Sequence, residues 1–96
     1  MKNASELRRI ALEKQECVYL YNYNKVICKI NETIENRANE GYTWLYLVRR
    51  DMFYCYTDYT FGDIDRKMFK MMKSYYKKKG FKISKSIFNG NIYIEW

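Results

Sequence analysis

Residues 63–79 constrain the fold of this chain more than any other stretch. At 100° per residue, Ile64, Met68, Met71, Met72 and Tyr75 gather on one side of a helix, and Arg66, Lys70, Lys73 and Lys77 gather on the opposite side. Asp63 and Asp65 sit where the helix dipole is positive, and Lys77, Lys78 and Lys79 sit where it is negative. Asp63 is the expected cap and Gly80 the stop. An amphipathic helix of this kind must lay its apolar side on something, and the flanking segments supply a sheet.

Downstream, Asn89-Gly90 is a strong hairpin signal, because a type I′ turn needs positive φ at both central residues. A two-residue turn pairs Ile87 with Ile92, Lys85 with Ile94 and Ile83 with Trp96. Ile83, Ile87, Ile92, Ile94 and Trp96 then form the core face, with Lys85 as an exception suited to a sheet edge. Lys82, Ser84, Ser86, Phe88, Tyr93 and Glu95 form the other face. Upstream, residues 42–48 are apolar on both alternations and predict a central strand. Arg49-Arg50-Asp51 turns the chain into a second strand over 53–57, and residues 58–62 read as a loop.

The N-terminal third predicts two helices. Ser5 can cap the first, which carries Leu7, Ile10, Ala11 and Val18. Residues 17–21 fit either its last turn or a short strand. Asn22-Tyr23-Asn24 reads as a break, with Asn24 capping a second helix that presents Ile27, Ile30, Ile34 and Ala38. Gly41 supplies the left-handed residue past its end. The expected architecture is therefore a small single α+β domain over residues 1–96. It has two N-terminal helices followed by β-β-α-β-β, and its mostly antiparallel sheet has helices on one face.

Charge points to function. The chain is +7, yet residues 66–85 alone hold nine cations and no acid, so the remainder sums to −2. Ordinary surface helices intersperse acids to form i,i+4 pairs, whereas Lys70, Lys73 and Lys77 only repel one another. Such a localised basic face suits an anionic partner. Phe88 and Tyr93, beside Lys82 and Ser84, suit stacked bases. The candidate binding residues are Arg66, Lys70, Lys73, Lys77, Lys78, Lys79 and Lys82, with Tyr76, Phe88 and Tyr93 as anchors. Eleven Tyr, five Phe and two Trp exceed what one small core needs, which leaves open a buried interface with a second copy or another partner.

Catalytic signatures are scarce. The absence of His removes the commonest general base and zinc ligand. The glycines stand singly, outside any phosphate-binding loop. RNP motifs, a GxxG clamp and a zinc knuckle are missing. Asp58, Asp63 and Asp65 are the one acidic cluster with a geometry for magnesium, and a cap at Asp63, dipole complementation by Asp65 and loop exposure of Asp58 account for them more simply. The expectation is a protein that is not an enzyme and has no cofactor or metal. Cys17, Cys28 and Cys55 predict reduced, mostly buried thiols in an intracellular, cytoplasmic protein. No segment has the apolar length of a membrane helix, and no signal peptide is apparent. The weight of Lys, Asn, Ile and Tyr suggests an AT-rich bacterial or phage genome.

From about residue 30 the chain resembles a pattern in small phage-type α+β proteins: a helix ending A-x-x-G, an aromatic strand, a helix, a G-[YF]-x-[VI] strand and a hairpin ending I-x-W. Here these are Ala38-Asn39-Glu40-Gly41, Tyr42-Thr43-Trp44, Gly80-Phe81-Lys82-Ile83 and Ile94-Glu95-Trp96. The resemblance implies a phage or mobile-element origin, a setting in which small proteins block host machinery, including CRISPR effectors and signalling-nucleotide defences. The leading expectation is thus a non-catalytic inhibitor that binds a host protein or ribonucleoprotein complex. The alternatives are a direct RNA- or DNA-binding accessory protein, a nucleotide sponge, a virion component and a small nuclease.

Overall fold

The computed structural model describes residues 2–51, 53–57 and 59–96. Its elements are α1 (Ala4–Asn39), β1 (Trp44–Arg50), β2 (Phe53–Tyr56), β3 (Tyr59–Gly62), α2 (Arg66–Lys78), β4 (Lys82–Lys85) and β5 (Ile92–Glu95). The strands form one antiparallel sheet in the order β3-β2-β1-β5-β4. The α+β class, the central position of β1, α2 and the C-terminal strand pair match expectation.

The first helix departs from it. Residues 4–39 are a single helix, uninterrupted at Asn22-Tyr23-Asn24. Its cap is Asn3, whose Oδ1 accepts from the Glu6 amide at 2.9 Å, so Ser5 lies inside the first turn. Asn in a helix costs only tenths of a kcal/mol relative to neighbouring residue types. Tyr19 and Tyr23 pack against the core beside Val26, Ile27, Ile30 and Ile34, which fixes residues 19–24 as helix. What suggested a break is a change of phase. The set Leu7, Ile10, Ala11 and Val18 lies roughly 160° around the helix from the core stripe.

Both helices end on a glycine with positive φ, Gly41 (+92°) and Gly80 (+88°). In each case the next residue donates its amide five residues back along the chain, Tyr42 to Arg37 O and Phe81 to Tyr76 O. This Schellman geometry turns the chain sharply into β1 and β4. The cap of α2 is Asp65, not Asp63: Asp65 Oδ1 accepts from the Met68 amide at 2.7 Å. Starting the helix at Arg66 leaves Ile64 free to enter the core.

Residues 59–62, expected as loop, form β3. It pairs Tyr59 with Tyr56 and Thr60 with Cys55, then bulges before Gly62. The turn escapes sequence patterning because Thr57, at φ +50°, is not a residue type that favours the left-handed region. The C-terminal strands keep their expected faces in a different register. Ile83 pairs with Ile94 and Lys85 with Ile92, two residues away from the two-residue-turn register. A shift of two preserves which face each side chain takes. Asn89 does not adopt positive φ, so no type I′ turn forms. The connection is a wider loop closed by Ser86 N to Asn91 O and by Gly90 N to Ser86 O. Ile87, expected in the core, is consequently 91% exposed at its tip, and Trp96 is half-buried.

The core is one cluster. It joins the inner strand residues Leu45, Leu47, Tyr54, Ile83, Ile92 and Ile94 to Ile30 and Ile34 of α1 and to Met68, Met72 and Tyr76 of α2. Both helices therefore lie on one face of the sheet. Lys85 sits on that inner face at the β4 edge, half-buried, with its ammonium 5.5 Å from the Phe69 ring. The thiols differ from expectation: Cys17 and Cys28 are exposed and Cys55 is half-buried, all three free. The first two lie on helix faces that the sheet does not reach.

Candidate nucleic-acid interface

The two flanks of α2 differ. One is engaged with α1. Asn31 of α1 donates to the Tyr75 hydroxyl at 3.1 Å and accepts from the Tyr76 hydroxyl at 2.8 Å. Lys67 lies over the Tyr19 ring, and Lys79 over the Tyr75 ring. Lys78 falls on this flank too, lining a hollow with Tyr23, Met71 and Tyr75. Arg66, Lys70, Lys73 and Lys77 are exposed on the other flank. Helical geometry turns them away from α1 and toward the β4 edge.

Beyond that edge is the outer face of the sheet, which no helix covers. Lys82 and Ser84 stand there, directly opposite Glu95 and Tyr93. Tyr93 is stacked on Trp44, with ring centres 6.5 Å apart and planes 23° from parallel. Tyr46 lies 6.4 Å from Tyr93 on its other side, and Tyr42 meets Trp44 edge to face at 5.9 Å. Four rings thus form a continuous strip, with Tyr42, Trp44 and Tyr46 exposed and Tyr93 half-buried. Glu95 places one carboxylate beside the strip, where it accepts from the Tyr93 hydroxyl at 3.2 Å.

The residues singled out from sequence therefore divide. Arg66, Lys70, Lys73, Lys77 and Lys82 belong to one surface that runs from α2 around the β4 edge to the aromatic strip. Lys78 and Lys79 lie on the α1 side of α2. Phe88 is 93% exposed at the tip of the β4–β5 loop, and Tyr93 is at the centre of the strip. Tyr76 is not a surface anchor. It is 1% exposed, fills the core, and burial holds its phenol far above the ordinary tyrosine range. Tyr76 follows Met68 and Met72 at i+4 spacing, which is what places it on the buried side.

Sequence patterning does not single out Trp44 and Tyr46, because residues 42–48 are apolar on both alternations. The available signal was alternation: Leu45 and Leu47 are apolar and inward, Trp44 and Tyr46 amphipathic and outward. Asn91 was missed as well. Its Oδ1 accepts from the Arg49 amide where β1 runs past the end of β5, and its Nδ2 donates to the Tyr46 hydroxyl, which fixes that ring. Arg37 is a third case. Its guanidinium is buried among the Tyr42, Trp44 and Tyr56 rings, and it donates to Trp44 O and the Tyr56 hydroxyl. It supports the near end of the strip from behind.

The acidic cluster has a structural occupation. Asp65 Oδ1 accepts from the Met68 amide and from the Tyr19 hydroxyl at 2.9 Å. Burial first, and then that bond, push the Tyr19 phenol up to about 12. Asp58 lies outside the described residues. Among the described residues, no group of three or more His, Cys, Asp or Glu could hold a metal ion. No described helix is long and apolar enough to cross a membrane. No family model, curated protein or solved structure matches the chain.

Proposed function

We propose that this protein is a non-catalytic binder of single-stranded nucleic acid. The phosphates would run along Arg66, Lys70, Lys73, Lys77 and Lys82, and bases would stack on Trp44, Tyr46 and Tyr93. The observation that carries this reading is the continuity of the acid-free basic flank with an uncovered aromatic strip. A cationic surface alone attracts any polyanion. Rings beside it favour unpaired bases, whose faces are accessible and whose stacking is worth about 1–3 kcal/mol each.

Fluorescence anisotropy against labelled single-stranded RNA, single-stranded DNA and duplex DNA at two salt concentrations tests this. Single strands should bind more tightly than duplex, and the salt slope should be near −0.7 per phosphate contacted. Combined Lys70→Glu, Lys73→Glu and Lys77→Glu should abolish binding and change the unfolding free energy by less than about 0.5 kcal/mol, since all three side chains are exposed. Trp44→Ala should weaken single-strand binding with no change in salt slope. Equal affinity for duplex and single strands would remove the stacking role.

A second reading is favoured by one feature. Ile87 and Phe88 expose two large apolar side chains at a loop tip, next to the basic edge. Rings presented this way anchor protein interfaces. In this reading the protein inhibits a host complex, phage defence machinery such as a CRISPR effector included, by occupying the channel meant for its nucleic acid. Phe88→Ala would then abolish inhibition while leaving free nucleic-acid binding intact.

A further inference from the structure

The N-terminal half of α1 carries an apolar stripe that this chain itself cannot cover. Every residue from Lys2 to Val18 is exposed. Leu7, Ile10, Ala11, Cys17, Val18 and Tyr21 lie on the side of the helix opposite the core stripe, so bending the arm onto its own body would not bury them. The molecule is correspondingly extended. Its accessible surface is 7235 Å². A compact monomer of its 11.8 kDa would expose about 5,900 Å². The excess of about 1,300 Å² exceeds the roughly 800 Å² per partner that a standard stable interface takes. The radius of gyration, 16.3 Å, likewise exceeds the roughly 12.5 Å of a compact chain this long.

The spacing of the stripe identifies the occupant. Counted from Lys14, its members fall at −7, −4, −3, +3, +4 and +7. Such a stripe is its own complement when a second copy runs antiparallel with the two-fold axis at Lys14. Leu7 then meets Tyr21, Ile10 meets Val18, and the small Ala11 meets Cys17. A two-fold interface demands this kind of self-complementarity. The helices can approach to the usual 8–10 Å because the pairs beside the axis are small. Lys14 meets its own counterpart, and its long stem lets the ammonium reach past the seam toward Glu13 of the second copy.

We propose that the protein is a homodimer joined by antiparallel pairing of the α1 arms, with Lys14 at the two-fold axis. The two sheet bodies, each with its basic flank, lie at opposite ends of the paired arms.

Sedimentation equilibrium of the full chain across the micromolar range tests this, together with disulfide trapping. The expected mass is twice that of the chain. Ile10→Asp with Val18→Asp should return it to a single chain and leave the unfolding midpoint of the body unchanged. Lys14→Leu should tighten association roughly tenfold or more, since it replaces a charge on the seam with an apolar side chain. Under mild oxidation, Ala11→Cys should produce a covalent dimer linked to Cys17 of the second copy, whereas parallel arms would join Cys17 to Cys17 without any substitution. A single-chain mass throughout, a dimer indifferent to the Asp substitutions, or a Cys17–Cys17 link would each overturn the proposal.

Discussion

Leu12 and Ile30 hold the same angular position on α1, eighteen residues and five turns apart. Leu12 is exposed and Ile30 fully buried. One continuous helix thus has two physical regimes. From Tyr19 onward it is held by a core of aliphatic and aromatic side chains. Before Val18 it is held by its own hydrogen bonds, by the Asn3 cap and by whatever covers its outer stripe. A helix this long can carry an arm because the packed half supplies the costly nucleus, and each further residue then adds one hydrogen bond. Local sequence chemistry is equally helical in both halves. Stability is not equally shared.

The largest test of that difference compares the two matched positions. Ile30→Ala should cost about 2–5 kcal/mol by urea denaturation, because it opens a cavity beneath the centre of the sheet. Leu12→Ala should change the unfolding free energy by less than about 0.5 kcal/mol. A large effect at Leu12 would mean that the arm folds back and the two regimes are one.

The next test concerns the Asn31 bridge between helices. Tyr76→Phe removes the donor to Asn31 and should cost about 1 kcal/mol. The same site gives a pH signature. The Tyr76 and Tyr19 phenols titrate above the ordinary value of 10.0, Tyr19 at about 12. The unfolded chain therefore loses these protons first as pH rises. Their contribution is complete below pH 10.0 and falls as pH climbs through the folded-state values. Tyr76→Phe should make the alkaline loss shallower, measured as unfolding midpoint against pH. Neither change should alter the helix content of the arm.

The smallest effects distinguish the caps. Asp65→Ala should lower global stability by roughly 1 kcal/mol, because α2 unfolds only with the core. Asn3→Ala removes a comparable bond, yet it should appear only as faster amide exchange in the first turns of α1. Equal losses in the global midpoint would show that arm and body unfold together.

Much of this was legible from residues alone. The α2 periodicity, the Gly41 and Gly80 stops, the central strand and the inward set Ile83, Ile92 and Ile94 follow from local rules, because each depends on neighbours within a turn or a pleat. Lys85 at an edge was readable for the same reason. Of the candidate surface, the basic flank was readable as a composition of one helix face. Tyr76 was misplaced because it stands at the margin of the set Ile64, Met68, Met71, Met72 and Tyr75, although its i+4 spacing from Met68 and Met72 marks the buried side.

The residues alone specify α+β character, the amphipathic α2, and a concentration of charge over residues 66–85, a stretch that contains no acid. Those are properties of short windows, set by side-chain period and local charge. Tertiary structure decided the rest. It decided that α1 is one helix, since only contacts from Tyr19 and Tyr23 to distant residues override the phase change. It set the hairpin register, where the Tyr54 hydroxyl bonded to Gly90 O and the Asn91 side chain on Arg49 hold a wide loop in place of a tight turn. It also brought Lys82, Tyr93, Trp44 and Tyr46 onto one face. They come from three strands, and the free energy that aligns them is paid across the whole core, so no short window of sequence contains it.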